Sequence, residues 1–373
     1  MILRRLLTRK LVFKLNVNFA LTKNCFSSNS SSPNISHLTG KITVKVGATP
    51  ENLYPKLQHR YPHLWPPRKA VPTDGIDLTV NYADSAFRNP QKKFKKVIVA
   101  VHGTPGYFRH FDRLIEHYHN QNELRIVAPN LPDFDHTRKT GKIFWHTTDE
   151  KVSFLKSFLR RLNIGHIDCL ISHSLGVQTT TALFEHPHEM QIKSMVIIAA
   201  QPIWDMNPTK HKFVQNIFRF QESELWYHFL AFLKMHNSQM TPVQFASVNE
   251  FLWLMASTRD FQTPDDLLRR IYKLVHQAPK VPVTIQFGSR EPLVSRKTLD
   301  RFFKAFELKK GDLIELDVQK DGEQECVQKV AAEEREGRKK RIKAYILEGG
   351  SHFSHAKYHN LTVQMIDNII NHN

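Results

Sequence analysis

Short hydrophobic runs of strand length alternate with helical patterns along most of the chain. The clearest run is Val97 to Val101, five apolar residues that are mostly β-branched. Similar runs occupy residues 42–46, 76–82, 124–128, 167–171, 195–199, 283–287 and 344–347. Strands that are apolar on both faces are typical of a parallel sheet covered by helices on each side. The pattern therefore predicts an α/β fold with a mostly parallel sheet.

Helix signals lie between these runs. Thr147 precedes Glu150 by three residues, which is the spacing of a capping box at a helix N-terminus. Apolar residues then recur at helical spacing from Leu155 to Leu162, and Gly165 is expected to end the helix. Further helical patterns occupy residues 175–185 and 361–370.

Two insertions interrupt the alternation. Residues 203–279 are rich in aromatic side chains and helical patterns, which predicts a helical cap over a core formed by 41–202 and 280–373. Residues 308–343 carry dense charge of both signs and are expected to form an exposed helical or hairpin excursion. The basic run at 337–343 has no interleaved aromatic residue, so we interpret it as a solvated helix face rather than as a nucleic-acid site.

The first 34 residues have the composition of a mitochondrial transit peptide. They contain six Arg or Lys residues and no Asp or Glu. This predicts a mitochondrial protein, and the alternatives are a short signal-anchor or a plain disordered tail on a cytoplasmic protein. Lys10 and Lys14 interrupt the apolar stretch well short of the ~18 residues that span a bilayer. No other stretch is long enough, so peripheral contact with a membrane is the form of association that stays open.

Composition narrows the class of protein further. The chain has 373 residues, 41% of them hydrophobic, and a net charge of +18. Its length allows one large α/β domain with insertions or two ordinary domains. Its cysteines, Cys25, Cys169 and Cys326, show no CxxC spacing, which argues against a disulfide framework or a zinc site and fits a reducing compartment. No pattern calls for a cofactor, and the oligomeric state stays open.

Ser174 stands where an apolar run turns into a helical pattern, within Ser172-His173-Ser174-Leu175-Gly176. In a nucleophile elbow, whose sequence pattern is Gly-x-Ser-x-Gly, a sharp turn between a strand and a helix exposes the serine hydroxyl. Small residues on either side of the serine let the chain pack closely at this turn. Gly176 fits that elbow, whereas Ser172 departs from it by a Cβ atom and a hydroxyl. We predict that Ser174 is a nucleophile, with an ordinary serine in a turn as the alternative.

A base and an acid follow Ser174 in the chain. His352 comes directly after the last apolar run, among Gly349, Gly350 and Ser351, and is the predicted base. Glu291 follows the run at 283–287 and is predicted to orient His352. Two alternatives stay open, namely Asp205 as the acid, and Glu291 as a surface charge paired with Arg290.

Backbone donors for an oxyanion are predicted at two turns. His102-Gly103-Thr104-Pro105-Gly106 follows the run at 97–101, so the N–H groups of Thr104 and Leu175 are expected to face the same point. A tight turn without a ligand is the alternative for this Gly/Pro segment.

Together these motifs resemble the α/β-hydrolase superfamily, in the branch with a helical cap between the sixth and seventh strands. The resemblance covers about residues 75–305 and 344–370. It implies an eight-stranded, mostly parallel sheet with helices on both faces. Relatives that open epoxides or haloalkanes use Asp where this chain has Ser174, so the resemblance implies an esterase, lipase, thioesterase or carbon–carbon bond hydrolase. The departures from the family pattern are Ser172, Glu291 and Asp133-Phe134-Asp135.

The leading prediction is therefore a serine hydrolase that cleaves a carboxylic ester or thioester through an acyl-enzyme. The Phe- and Trp-rich cap favours a lipophilic small-molecule substrate. The alternative is a non-catalytic protein of the same fold that uses its cavity or its cap for binding.

Overall fold

The computed structural model describes most of the region after the first 32 residues. The described residues are 33–47, 52–60, 71–87, 92–103, 106–121, 123–131, 144, 147–186, 188–201, 264–291, 294–335 and 340–371.

Strands in these residues are β1 (Thr39–Val46), β2 (Ile76–Asp84), β3 (Lys96–Val101), β4 (Leu124–Pro129), β5 (His166–Ile167), β6 (Cys169–His173), β7 (Gln191–Ile192), β8 (Met195–Ile198), β9 (Val283–Gly288), β10 (Leu313–Leu316) and β11 (Ile342–Leu347). Nine of them form one sheet in the order β1-β2-β4-β3-β6-β8-β9-β11-β10, while β5 pairs with β7. Strand β2 is antiparallel to β1 and β4. The other neighbours in the sheet are parallel.

Helices cover both faces of the sheet. They are α1 (Leu53–Arg60), α2 (Asp112–His119), α3 (Thr148–Arg161), α4 (Gly176–Leu183), α5 (Pro264–His276), α6 (Arg296–Ala305), α7 (Val318–Asp321), α8 (Glu323–Arg335), α9 (Ser354–Lys357) and α10 (His359–Asn371). Alternate residues of β3 point to opposite sides, because side chains along a strand alternate between its faces. Val97 and Val99 share a core with α3, whereas Ile98 and Ala100 share a second core with α2 and α10. The predicted mostly parallel sheet with helices on both faces is confirmed.

The capping box at the start of α3 is also confirmed. Thr147 Oγ1 accepts from Glu150 N–H at 3.1 Å, and Glu150 Oε2 accepts from Thr147 N–H at 3.0 Å. The helix ends at Arg161, before the expected Gly165. Asn163 takes the left-handed conformation, with φ of 57°, that terminates helices of this kind.

The sheet has nine strands instead of the predicted eight, because the charged insertion contributes β10. This strand pairs in parallel with β11 at the edge of the sheet. The insertion forms helices α7 and α8, as expected, but it is not an excursion away from the fold, because β10 joins the sheet. Its apolar side chains pack into a core with β11 and α10, formed by Leu316, Val318, Cys326, Val330, Tyr345, Leu347, Tyr358, Leu361 and Met365. Among its charged side chains, Lys329 Nζ pairs with Asp321 at 2.6 Å.

The described end of the basic run, residues 340–343, leads into β11 and does not form a helix face. The Arg341 guanidinium donates to the carbonyls of Leu274, Val275 and Val281 at 2.6, 2.6 and 2.9 Å. Leu274 and Val275 lie in the last turn of α5, whose final carbonyls lack partners inside the helix. The interpretation as a solvated helix face is therefore wrong for these residues, because Arg341 caps a neighbouring helix.

Part of the predicted cap lies within the described residues. Helix α5 packs on the sheet, with Leu267 and Ile271 in one core with Met195 and Phe287. Residues 202–263 and 1–32 lie outside the described residues, so the cap and the transit peptide stay predictions. Within the described ranges, none of the helices has the length and apolar character needed to cross a membrane.

Candidate active site

Ser174 lies at a sharp turn between β6 and α4. Its φ is 55°, a left-handed conformation that costs a residue with a side chain roughly 1–2 kcal/mol. The turn is held because Ser174 N–H donates to the Ile198 carbonyl of β8 at 3.0 Å, and α4 begins at Gly176. The hydroxyl is thereby presented at the carboxyl ends of the parallel strands, the edge where α/β sheets bind ligands.

Two glycines allow the close approaches on which this elbow depends. A Cβ on Gly103 would lie 2.5 Å from Ser174 Cβ and 3.0 Å from its Oγ. A Cβ on Gly176 would lie 2.7 Å from the Val101 carbonyl and 2.8 Å from the His102 carbonyl. A side chain at either position would push the end of β3 away from the elbow.

Ser172 fills the elbow position where the pattern has glycine. It lies opposite Val101 of β3 and Ile197 of β8 and is fully buried. Within the described part of the chain, its hydroxyl has no hydrogen-bond partner. A buried hydroxyl without a partner is unfavourable, so this departure carries an energetic cost at the site.

His352 and Glu291 form a buried pair. His352 Nδ1 lies 2.9 Å from Glu291 Oε2, and the two side chains are 7% and 3% exposed. Glu291 is therefore not a surface charge. A carboxylate only accepts hydrogen bonds, so Nδ1 carries the proton and Nε2 is the basic nitrogen of the neutral imidazole.

Close backbone contact joins the loop that carries Glu291 to the loop that carries His352. A Cβ on Gly288 would lie 2.2 Å from the Gly350 carbonyl oxygen, so the two chains touch at these glycines. Arg290 N–H donates to the same carbonyl at 2.9 Å, and Gly349 N–H donates to Ser289 Oγ at 3.0 Å. The loops after β9 and β11 are thus joined immediately before their carboxylate and imidazole.

Buried histidines connect the elbow to the His352 loop. His173 Nε2 donates to the His352 carbonyl at 3.0 Å, and its ring centroid lies 4.8 Å from that of His355. His355 Nε2 donates to the His110 carbonyl at 3.0 Å. Burial lowers the pKa of His173 well below its usual value and lowers the pKa of His355 to about 4. Both imidazoles are therefore neutral at pH 7, and each donates one hydrogen bond to a backbone carbonyl of a neighbouring loop.

The Ser174 hydroxyl bonds to Gln201. It donates to Gln201 Oε1 at 3.3 Å, and Gln201 N–H donates to the Ser174 carbonyl at 3.3 Å. Among the described residues, no hydrogen bond joins this hydroxyl to His352. Ala199, two residues before Gln201, turns the chain back towards the elbow with φ of 45°.

Gln201 was not identified from the sequence. The signal that could have found it is its position just beyond β8, the strand next to β6, because neighbouring parallel strands end at the same edge of the sheet. The link from His173 to the His352 carbonyl had no comparable signal, since it joins two loops that are distant in the chain.

The remaining predicted site residues divide into two groups. Leu175 lies directly before α4, where backbone N–H groups lack partners inside the helix. Thr104, Asp205 and residues 133–135 lie outside the described residues, so the second oxyanion donor and the alternative acid stay predictions. In the described ranges, His, Cys, Asp and Glu side chains form no group of three that could hold a metal ion.

Solved structures of low sequence identity share the fold. An esterase from Thermogutta terrifontis, with malate bound, is 10% identical, with 89% of this chain and 99% of that chain covered and a TM-score of 0.53. Haloalkane dehalogenase DatA from Agrobacterium tumefaciens C58 is 10% identical, with 89% and 97% covered and a TM-score of 0.52. At this identity the likeness shows the fold alone. No curated protein matches the chain by sequence.

A protein family described as "Alpha/beta hydrolase of unknown function (DUF1057)" matches residues 70–371. The match includes the Ser174 elbow, the pair of His352 and Glu291, and the insertion that contributes β10. The chain therefore belongs to this family of α/β hydrolases.

Proposed function

We propose that the protein is a serine hydrolase that cleaves a carboxylic ester or thioester through an acyl-enzyme. The buried pair of His352 and Glu291, at the same sheet edge as the Ser174 elbow, carries the proposal. Acyl transfer needs a nucleophile, a base and a group that orients the base. Ser174, His352 and Glu291 take these roles in that order.

The reaction has two halves. Ser174 Oγ attacks the carbonyl carbon while its proton moves to His352 Nε2, and the tetrahedral intermediate expels an alcohol or thiol that takes this proton. Water then attacks the acyl group on Ser174, and His352 again accepts and returns the proton. Glu291 holds the imidazole by its Nδ1–H and stabilises the imidazolium formed in each half.

The proposed oxyanion site uses two backbone donors. Leu175 N–H is one, at the start of α4, and Thr104 N–H is the other. A single donor of this kind is typically worth ~3 kcal/mol in the transition state. The aromatic-rich segment 203–279 favours a lipophilic acyl or alcohol part of the substrate.

A second candidate function is non-catalytic binding. The observation that favours it is the Ser174 hydroxyl, which bonds to Gln201 and must turn to reach His352 before catalysis. A binding protein would keep the same buried pair without needing this movement. Reactivity of Ser174 towards an electrophile separates the two functions.

The test is labelling with a fluorophosphonate, whose phosphorus is attacked by an activated serine with loss of fluoride. Wild type and Ser172→Ala are expected to be labelled, while Ser174→Ala is not and His352→Ala is strongly impaired. Ser172→Ala is the matched control, because it removes a hydroxyl only two residues from the nucleophile. An unlabelled wild type, or equal labelling of Ser174→Ala, would exclude the serine mechanism.

Two further measurements refine the proposal. Of Glu291→Gln and Asp205→Asn, the variant with the larger loss of kcat identifies the acid, and we expect it to be Glu291→Gln.

A series of p-nitrophenyl esters with lengthening acyl chains tests the preference for lipophilic substrates. A kcat/KM that falls steadily from acetate to longer esters would exclude that preference.

We also infer mitochondrial delivery from residues 1–34. The N-terminal residue of the protein recovered from cells tests this inference. Recovery of a chain that starts at Met1 from mitochondria-free cytosol would contradict it.

A further inference from the structure

The charged insertion lies against the loop that carries His352. This loop, residues 348–358, connects β11 to α10 and includes α9. Residues 308–335 of the insertion contact the chain on both sides of His352. The proposed function assigns no role to the insertion, and the family resemblance does not explain it.

Two contacts lie just before His352. Glu348 N–H donates to the Leu316 carbonyl at 2.9 Å, which extends the pairing of β10 with β11 into the loop. Gln319 lies over Gly349, so that a Cβ on Gly349 would be 2.5 Å from Gln319 Nε2 and 2.8 Å from its Cδ. The other side of Gly349 bonds to Ser289, so the start of the loop is clamped between the insertion and the loop of Glu291.

Further contacts lie just after the loop. Leu361 N–H, in the first turn of α10, donates to Glu323 Oε1 at 3.2 Å. Tyr358 and Leu361 are buried in the core that the insertion forms with β11 and α10. Asn368 Nδ2 also donates to the Val330 carbonyl of α8 at 3.1 Å. Both ends of the His352 loop are therefore held by side chains and backbone of the insertion.

We propose that the insertion is a positioning element for His352, with Gln319 and Glu323 as its positioning residues. Gln319 packs against Gly349, and Glu323 accepts a hydrogen bond from the first turn of α10. These contacts hold both ends of the loop, so that the His352 imidazole stays aligned with Glu291. This inference rests on the proposed role of His352 as the base. A displacement of about 1 Å at a reacting group can cost on the order of a hundredfold in rate.

The test measures labelling kinetics of the full chain by the fluorophosphonate. Gln319→Ala with Glu323→Ala is expected to lower the maximal rate of inactivation by about tenfold to a hundredfold, while the probe concentration for half-maximal rate stays unchanged. Gln319→Met with Glu323→Gln keeps the packing and the acceptor and should restore the rate. Gln324→Ala is the matched control, an exposed glutamine of the same insertion.

A second measurement does not depend on activity. Amide hydrogen exchange of the peptide that covers the His352 loop should be faster in the Gln319→Ala, Glu323→Ala variant and unchanged in Gln324→Ala. If the double variant does not fold, Gln319→Ala alone is used, because Gln319 is exposed. If this peptide exchanges in the double variant at the same rate as in wild type, the inference is overturned. This outcome holds even if the fluorophosphonate never labels wild type. A wild-type inactivation rate in the double variant would overturn it as well, whereas an unlabelled wild type overturns only the proposed function.

Discussion

Ser172→Ala is expected to stabilise the protein. The Ser172 side chain is fully buried between β3 and β8, and its hydroxyl has no partner in the described part of the chain. Most substitutions in a core destabilise, because they leave a cavity or remove a hydrogen bond. Here the substitution removes one oxygen that makes no hydrogen bond to any described residue.

The magnitude follows from two opposing effects. A buried hydroxyl without a partner costs about 1–3 kcal/mol in protein mutational data. Loss of one oxygen leaves a small void whose lost contacts offset roughly 0.5–1 kcal/mol of this gain. We therefore expect the free energy of unfolding to rise by about 1 kcal/mol.

Equilibrium unfolding in urea measures this change, provided that the slope stays equal to that of wild type. Ser153→Ala is the matched control. Ser153 is also buried, but its hydroxyl accepts from Gly47 N–H at 3.0 Å, so the same substitution should lower the free energy of unfolding by about 1–3 kcal/mol. A loss of stability in Ser172→Ala equal to that in Ser153→Ala would refute the reasoning.

Three further changes test other contacts. Gly288→Ala places a Cβ 2.2 Å from the Gly350 carbonyl oxygen, so the rate of fluorophosphonate labelling should fall by about a hundredfold. Circular dichroism checks that the variant is still folded, and an unchanged labelling rate would contradict this prediction. Arg341→Met leaves the last carbonyls of α5 without their donor and should lower the free energy of unfolding by about 2–3 kcal/mol. Arg341→Lys should lower it by less. An unchanged urea midpoint would exclude a stabilising role of Arg341 at the end of α5. The unfolded chain protonates His355 below about pH 6.5, whereas the folded chain does so only near its lowered pKa of about 4. The fold should therefore lose stability as the pH falls from 6.5 to 4, and His355→Gln should make unfolding midpoints less dependent on pH over that range; equal slopes in both proteins would show that another group is responsible.

Most of the sheet could be predicted from the sequence. Strands such as β3 are buried on both faces, so their apolar character is continuous and visible without knowledge of their neighbours. Strand β10 could not be predicted in this way. Glu315 interrupts its apolar residues and charged residues surround it, and its place in the sheet depends on pairing with β11, almost thirty residues later in the chain.

The candidate site shows the same division. Ser174 follows β6 directly, and Glu291 and His352 lie in the loops after β9 and β11, so the order of strands in the fold brings all three to one edge. Gln201 and the hydrogen bond from His173 could not be predicted, because they depend on how far each loop turns back over the sheet. The end of α3 at Arg161 could not be predicted from the position of Gly165, because Asn163 takes the left-handed conformation earlier in the chain.

Strand β10 also changes where the sheet ends. Without it, β11 would present a row of unpaired backbone groups next to the His352 loop, and such a free edge invites pairing with strands of other chains. With β10 in place, β11 is an interior strand bonded on both sides. Any association through this end of the sheet would therefore meet Leu313–Leu316 first and leave the strand that leads to His352 undisturbed.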